Sequence, residues 1–184
     1  MTRIIALSGS LRSGSWNTRL ARALAERAPG DCEVEVVTPA GIPLYDGDLE
    51  SKEGIPSAVE ALKDRIASAD GLVLVTPEYN QGVPGVMKNT IDWLSRPPAD
   101  ISRVFGGRPV ALCGATPGGA GTRSAQHALL PTLRALGAQV WPGKTLYLSR
   151  AAKVFDDQGA VIDEDIDKGL VDFIEGFHRF AAGE

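Results

Sequence analysis

The sequence predicts an α/β three-layer sandwich built on a parallel sheet. Two observations carry this reading. Five short runs rich in apolar and β-branched residues, at 3–7, 33–37, 71–76, 109–113 and 139–148, alternate strictly with helical patterns. The first, third and fourth runs are almost continuously hydrophobic, as strands covered on both faces must be.

The elements follow in order. After the strand at 3–7, a helix over 16–28 carries Leu20, Leu24 and Ala28 at i+4 spacing and stops at Pro29-Gly30. The strand at 33–37 leads into 38–56, an irregular stretch rich in Gly, Pro and Asp that reads as a functional loop or a surface connection. A helix over 57–69 turns Val59, Leu62 and Ile66 to one side, and the strand at 71–76 follows. The next helix, 84–95, has Pro84 suited to its first position and Met87, Ile91 and Leu94 along one stripe. Beyond the strand at 109–113, a helix over 122–136 carries Leu129, Leu130, Leu133 and Leu136 and ends at Gly137. The run 139–148 is interrupted by Pro142-Gly143, which signals a bulge or an edge position. A last helix over 163–180 has acids in its first turn and Ile166, Leu170, Phe173, Phe177 and Phe180 on its apolar face. No repeat or linker divides the chain, so residues 1–184 read as one domain.

With 43% hydrophobic residues in 184, the chain can bury a sizeable core. A net charge of −4 gives no basic footprint for nucleic acid. The apolar runs are strand-length, too short for a membrane span. Met1-Thr2-Arg3 leads directly into a strand and leaves no room for a signal peptide, so a cytoplasmic protein is expected. Cys32 and Cys113 are far apart and lack the spacing of a zinc or disulfide framework, and His127 and His178 are the only histidines.

In an open parallel sheet, ligands bind outside the carboxyl ends of the strands. Three loops of unusual composition end there: 8–18, 77–84 and 114–121. The first joins an apolar strand to a helix through Gly9-Ser10-Leu11-Arg12-Ser13-Gly14-Ser15. Unpaired N–H groups and the positive dipole end of such a helix form an anion site. Ser10, Ser13, Ser15, Asn17 and Thr18 add side-chain donors, and Arg12 adds a charge-assisted contact. The loop lacks the lysine of a triphosphate-binding loop. It matches the dinucleotide GxGxxG pattern poorly, and the second strand ends Val37-Thr38-Pro39 without the acid that pattern needs. What remains is a phosphomonoester site. The second loop, Pro77-Glu78-Tyr79-Asn80-Gln81-Gly82-Val83-Pro84, is rigid and tightly turned, and the third, Gly114 to Gly121, is largely bare backbone. Two such walls beside a phosphate site suit a planar ring attached to a phosphate.

At these residues the chain resembles the NAD(P)H-dependent FMN reductases, a family that includes quinone, chromate and azo-dye reductases. Gly9-Ser10-Leu11-Arg12-Ser13-Gly14-Ser15-Trp16-Asn17 looks like that family's FMN-phosphate loop, and Pro77-Glu78-Tyr79-Asn80 is its most specific signature. Pro84-Gly85-Val86-Met87-Lys88-Asn89 and Ile91-Asp92-Trp93 continue the likeness, as does Phe155-Asp156-Asp157-Gln158-Gly159. The resemblance implies a flavodoxin-like fold with five parallel strands in the order 2-1-3-4-5. It implies that Ser10, Arg12, Ser15, Asn17 and Thr18 hold the FMN phosphate. Pro77, Glu78, Tyr79 and Asn80 would line one side of the flavin ring, and Thr116, Pro117, Gly118 and Gly119 the other. The chain departs from the pattern at Gln81-Gly82, where members often carry Gly-Ser or Tyr-Ser, and in a more Gly/Ala-rich third loop.

The implied activity is hydride transfer from NAD(P)H to FMN and on to a small-molecule acceptor, in a ping-pong cycle with no protein general acid. Two alternatives stand beside it: an electron carrier without pyridine-nucleotide activity, and a reductase that supplies reduced FMN to a monooxygenase. Glu78 reads as a hydrogen-bonding residue, His127 as a surface or packing residue, Cys113 as a buried small hydrophobe and Asp156-Asp157-Gln158-Gly159 as a turn. Val86 and Trp93 form a second apolar stripe on the helix over 84–95. Family members are commonly dimers or tetramers, so this stripe suggests a homodimer or homotetramer through that helix, unless the segment 96–101 covers Trp93.

Overall fold

The computed structural model describes residues 1–184. Strand β1 (Thr2–Ser8) leads to α1 (Trp16–Glu26), β2 (Cys32–Val37), α2 (Gly47–Glu53), α3 (Ser57–Ala67) and β3 (Gly71–Val75). The chain continues through α4 (Gly85–Leu94), α5 (Ile101–Val104), β4 (Pro109–Ala115) and α6 (Arg123–Ala135), then β5 (Gln139–Val140), β6 (Leu146–Leu148) and α7 (Glu164–Ala182). All pairings are parallel and the order is β2-β1-β3-β4-β5, with β6 also on β4. The expected flavodoxin-like order therefore holds, with a sixth strand added.

The sixth strand comes from the broken run at 139–148. β5 pairs with the start of β4, Val110 opposite Val140, and β6 with its end, Gly114 opposite Tyr147. Between them Pro142 has no N–H to donate to a ladder. Trp141 leaves the sheet there, its ring packing against Phe173 at 5.2 Å and Phe177 at 5.7 Å between centroids.

Alternation along β1 explains why its sequence is hydrophobic without a break. Ile4 and Ala6 enter the core beneath α1 and α7, while Ile5 and Leu7 enter the core beneath α3, α4 and α6. Both faces of β1 and β3 are buried, so no polar alternation is left to see.

Two features depart from the sequence reading. The irregular stretch 38–56 contains α2, capped by Asp46, whose side chain accepts from the N–H groups of Asp48 and Leu49. No residue of α2 is buried, so it has no apolar stripe to announce it; Glu50 anchors it through Arg96 Nε at 2.9 Å and Tyr45 Oη at 3.0 Å. In α4, Pro84 is the N-cap rather than the first helical residue. Trp93 is wholly buried, but the cover is the 43–45 segment and not 96–101: its indole N–H donates to the Pro43 carbonyl at 2.9 Å, and the Tyr45 ring meets it edge-on at 5.0 Å.

A buried cation fastens α3 to the segment before α5. Lys63 is fully buried, and its ammonium donates to Glu60 at 2.6 Å, Asp100 at 2.7 Å and the Arg96 carbonyl at 2.8 Å. These three acceptors match the three N–H donors of the head. Lys63 and Arg103 together hold the Asp100 carboxyl below the ordinary carboxylate range. Removing one acceptor leaves a buried charge under-satisfied. Asp100→Ala is therefore expected to lower stability by about 1–3 kcal/mol in urea unfolding at neutral pH. A carboxyl held low in the folded state stabilises fully above its unfolded value of about 4 and progressively less as the pH falls below it. The gap between wild type and Asp100→Ala should accordingly narrow in acid; a gap that widens there would contradict the assignment.

Candidate active site

Loops 8–18, 77–84 and 114–121 meet at the carboxyl end of the sheet. Gly9 continues the ladder by donating to the Val75 carbonyl at 2.9 Å. A Cβ on Gly9 would stand 3.0 Å from Pro77 Cδ and 3.2 Å from Met87 Cβ, so glycine keeps the close approach of the first loop to the second and to α4 free of strain. Gly114 serves the third loop in the same way: its Cβ would fall 2.1 Å from Thr122 Oγ1 and 2.2 Å from the Thr76 carbonyl oxygen.

One cleft at this junction is lined by Ser10, Arg12, Ser15 and Asn17 of the first loop, Pro77, Glu78 and Tyr79 of the second, and Thr116 and Pro117 of the third. Nine of the sequence-derived positions thus come together. Trp16 and Ala115 line it as well and were not singled out. The signal for Trp16 was available, an aromatic residue directly after the Ser15 cap; its ring stacks on Phe155 at 6.1 Å and lies 4.8 Å beneath the Arg19 guanidinium. Thr18 does not line this cleft. Its hydroxyl pairs with Ser8 Oγ at 2.9 Å, and it borders a neighbouring cleft on the outer side of the loop. Asn80, Gly118 and Gly119 also lie outside the lining.

The first loop has the donor set of an anion site. Ser15 caps α1, its hydroxyl oxygen accepting from the N–H groups of Asn17 at 3.2 Å and Thr18 at 3.3 Å. The backbone N–H groups of Ser10, Leu11, Ser13, Gly14 and Trp16 have no hydrogen-bond partner within the protein. Arg12 is exposed and paired with no carboxylate. Five free amides beside a helix N-terminus and an unpaired guanidinium suit a phosphate. The walls offer flat surfaces with a polar edge: the backbone N–H of Glu78, which lines the cleft, is likewise free of a protein partner, as are those of Asn80, Gln81, Gly119 and Ala120 in the exposed stretches just beyond it. The residues present therefore fit a flavin mononucleotide.

Asn17 does something its position in the loop did not reveal. Its side-chain amide donates to the Ala115 carbonyl at 2.9 Å, and its oxygen accepts from the Ala115 N–H at 2.9 Å. It pairs like a strand residue and ties the first loop to the third. Glu78 makes a second tie. Thr122 at the N-cap of α6 gives no side-chain cap, and Glu78 Oε2 accepts instead from the Ala125 N–H at 3.0 Å, placing a carboxylate on the positive end of the helix. The hydrogen-bonding role expected of Glu78 is the one observed. Tyr79, Asn80, Gln81 and Gly82 form a tight turn closed by mutual Tyr79 and Gly82 backbone bonds of 3.3 and 3.0 Å. Asn80 and Gln81 have φ of 52° and 60°, the left-handed pair of a type I′ turn. The turn leaves Tyr79 56% exposed at the lip.

No histidine lines the cleft: His127 meets Tyr147 Oη at 3.2 Å, and His178 lies 3.4 Å from Asp31, which precedes β2 at the opposite end of the sheet. Complete burial pushes the Cys113 thiol up, so it stays protonated and packs as a small apolar group. Asn17→Ala should cost about 2 kcal/mol, because two buried backbone groups of Ala115 lose their partners. It should also loosen ligand binding at the third loop, both effects being read by calorimetry. Unchanged stability would show that Asn17 is not the tie.

Comparison with known proteins agrees with this geometry. The profile of the family described as NADPH-dependent FMN reductase matches residues 2–153. A 2-hydroxy-1,4-benzoquinone reductase of Burkholderia sp. is 39% identical over 175 residues, covering 95% of this chain and 93% of the relative. An NAD(P)H-dependent FMN reductase of Pseudomonas aeruginosa is 40% identical over 162 residues, covering 88% and 85%. A quinone reductase of Escherichia coli K12 is 41% identical over 177 residues, covering 95% and 90%. Among solved structures, a flavoenzyme NAD(P)H:(acceptor) oxidoreductase of Paracoccus denitrificans superposes with a TM-score of 0.88 at 32% identity, covering 100% of this chain and 98% of that one. With a loop of free amides facing two backbone walls, and relatives that match it nearly end to end, the chain belongs to the NADPH-dependent FMN reductase family.

Proposed function

We propose that this chain is an FMN-dependent NAD(P)H oxidoreductase whose acceptor is a quinone or a similar small oxidised compound. The observation that carries the reading is the junction of three loops: a cleft lined by Ser10, Arg12 and Ser15 of a loop rich in free amides and by Pro77, Glu78, Tyr79, Thr116 and Pro117 of the other two. When bound, FMN supplies the redox chemistry, taking a hydride from NAD(P)H and returning two electrons to the acceptor. The net reaction with a quinone is NAD(P)H, a proton and quinone giving NAD(P)+ and hydroquinone.

The protein's own part is placement and electrostatics. Ser10, Arg12, Ser15 and the free amides around them hold the phosphate and neutralise its charge. Pro77, Glu78, Tyr79, Thr116 and Pro117 offer surfaces against which a ring can lie. Backbone N–H groups on both walls offset negative charge that gathers on the ring edge during reduction. Glu78, the carboxylate that lines the cleft, is committed to α6, and hydride transfer asks for no general base. Donor and acceptor would use this one cleft in turn, which is ping-pong kinetics.

Anaerobic mixing of the FMN-loaded protein with NADPH or NADH should bleach the flavin absorption, and a quinone should restore it. Failure of both donors would overturn the enzyme reading. Arg12→Ala should weaken FMN binding by about 1.5–3 kcal/mol, measured by fluorescence titration. Unchanged affinity would remove Arg12 from the phosphate site.

In this reading the protein is cytoplasmic, which suits two buried free thiols, Cys32 and Cys113. No helix is long and apolar enough to cross a membrane. A homodimer or homotetramer is also part of the reading. Trp93 is satisfied within the chain, so the apolar surface beside α4 that supports association is Leu44, 82% exposed, together with Tyr45. Light scattering at micromolar concentration should return a multiple of the chain mass, and a monomer would remove this element.

A further inference from the structure

A second cleft lies on the outer side of the phosphate loop; it shares Ser13 and Ser15 with that loop, and nothing in the function described so far uses its outer part, from Arg19 to Glu26. It measures about 280 Å3 and is bordered by Ser13, Arg19, Arg22, Glu26, Gln158 and Gly159, among others. Apart from Ala160, every lining residue is polar or a glycine, so the cleft does not suit an apolar ring alone. Ser15 borders both this cleft and the inner one. A phosphate held at the N-terminus of α1 would therefore stand between the two.

We propose that the outer cleft is a second-phosphate and nucleoside subsite that takes the adenylate half of FAD, so that the protein accepts the dinucleotide flavin as well as FMN. The proposal rests on the reading of residues 9–18 as the flavin-phosphate loop. Three observations support it. First, the charges are ordered along α1. Ser15, Thr18, Arg19, Arg22 and Glu26 share one face of the helix, at the i, i+3, i+4, i+7 and i+11 spacing. At 1.5 Å per residue, Arg19 and Arg22 sit about 6 and about 10 Å beyond Ser15 along the axis. Helical side chains lean toward the N-terminus; the Arg19 guanidinium does so, lying over the Trp16 ring, and Arg22 borders the same cleft one turn further on. Glu26 comes last, where an acceptor suits ribose hydroxyls or an exocyclic amine. The order is cation, cation, carboxylate, and that of the ligand is phosphate, sugar, base.

Second, the cations are available. Arg19 is held in place, its Nη1 donating to the Asp156 carbonyl at 3.0 Å and its guanidinium lying over the Trp16 ring at 4.8 Å. Its remaining N–H groups have no partner. Arg22 is exposed and forms no ion pair or hydrogen bond, although carboxylates outnumber cations by 23 to 19 in the chain. Third, the far wall is built: the turn after Phe155 folds back on α1, with Gly159 at φ 91° placed against the Arg19 stem. The volume falls just below the roughly 300–1,000 Å3 typical of whole small-molecule pockets, in keeping with a subsite for half of a ligand.

The test uses the full-length protein freed of flavin and titrated with FMN and with FAD, read by flavin fluorescence. Wild type should bind FAD within about tenfold of its FMN affinity. Arg22→Ala should weaken FAD about tenfold or more, the loss of one charge-assisted contact, while FMN changes less than about twofold. Steady-state KM for NADPH and NADH, measured on the FMN-loaded protein, should not respond to Arg22→Ala. The proposal is overturned if wild type binds FAD more than about a hundredfold more weakly than FMN, or if Arg22→Ala leaves FAD affinity unchanged. It is also overturned if the variant raises KM for NADPH alone, which would assign the cleft to the 2′-phosphate of the donor. Binding of neither flavin by wild type would instead defeat the phosphate-loop reading beneath it.

Discussion

Asn17 pairs donor and acceptor with the backbone of Ala115, 98 residues further along the chain, and the active-site cleft depends on that pairing. Its amide stands in for a strand residue beside Ala115, the last residue of β4, and so ties the start of α1 to the carboxyl end of the sheet. Both groups of Ala115 are buried there, and without a partner each would carry a desolvation cost. Because the tie is made inside the protein, the free amides of Ser10, Leu11, Ser13, Gly14 and Trp16 are left for a ligand.

Glu78 shows the electrostatic side of this arrangement. A carboxylate next to a phosphate site would repel the ligand if it stood free. Here it is spent on the N-terminus of α6, where the dipole neutralises part of its charge. Arg12 and Arg22, in contrast, are left without carboxylates, although acids are in excess overall. The acids are concentrated elsewhere, around Lys63 and Arg103 and in the first turn of α7. A modest net negative charge therefore coexists with unpaired cations around the phosphate loop.

How much of this was legible in the sequence varied with the range of the interaction. Ser10, Arg12 and Ser15 could be read because an anion cradle is a local object, a strand, a turn and a helix start within a dozen residues. Turn chemistry showed a rigid loop at 77–84, but Pro77 and Tyr79 as ring-lining residues came from the resemblance carried by Pro77-Glu78-Tyr79-Asn80. The work of Asn17 and Glu78 could not, since their partners lie 98 and 47 residues away. Thr18 falls on the same helix face as Ser15, yet it turns to Ser8 and the outer cleft. Helix α2 escaped notice because periodicity detects burial, and α2 buries nothing. Trp93 looked like surface needing a partner because nothing local says that residues 43–45 return to cover it.

By itself the sequence determined the strand and helix alternation, the parallel sheet and the three loops at one end of it. Each of those follows from hydrophobic period, turn residues and chain direction, which act over a few residues. Only the tertiary structure decided which side chains face the ligand and which hold the loops together. That choice depends on whether a polar group finds a partner from a distant part of the chain, and burial makes an unpaired group costly enough to settle it.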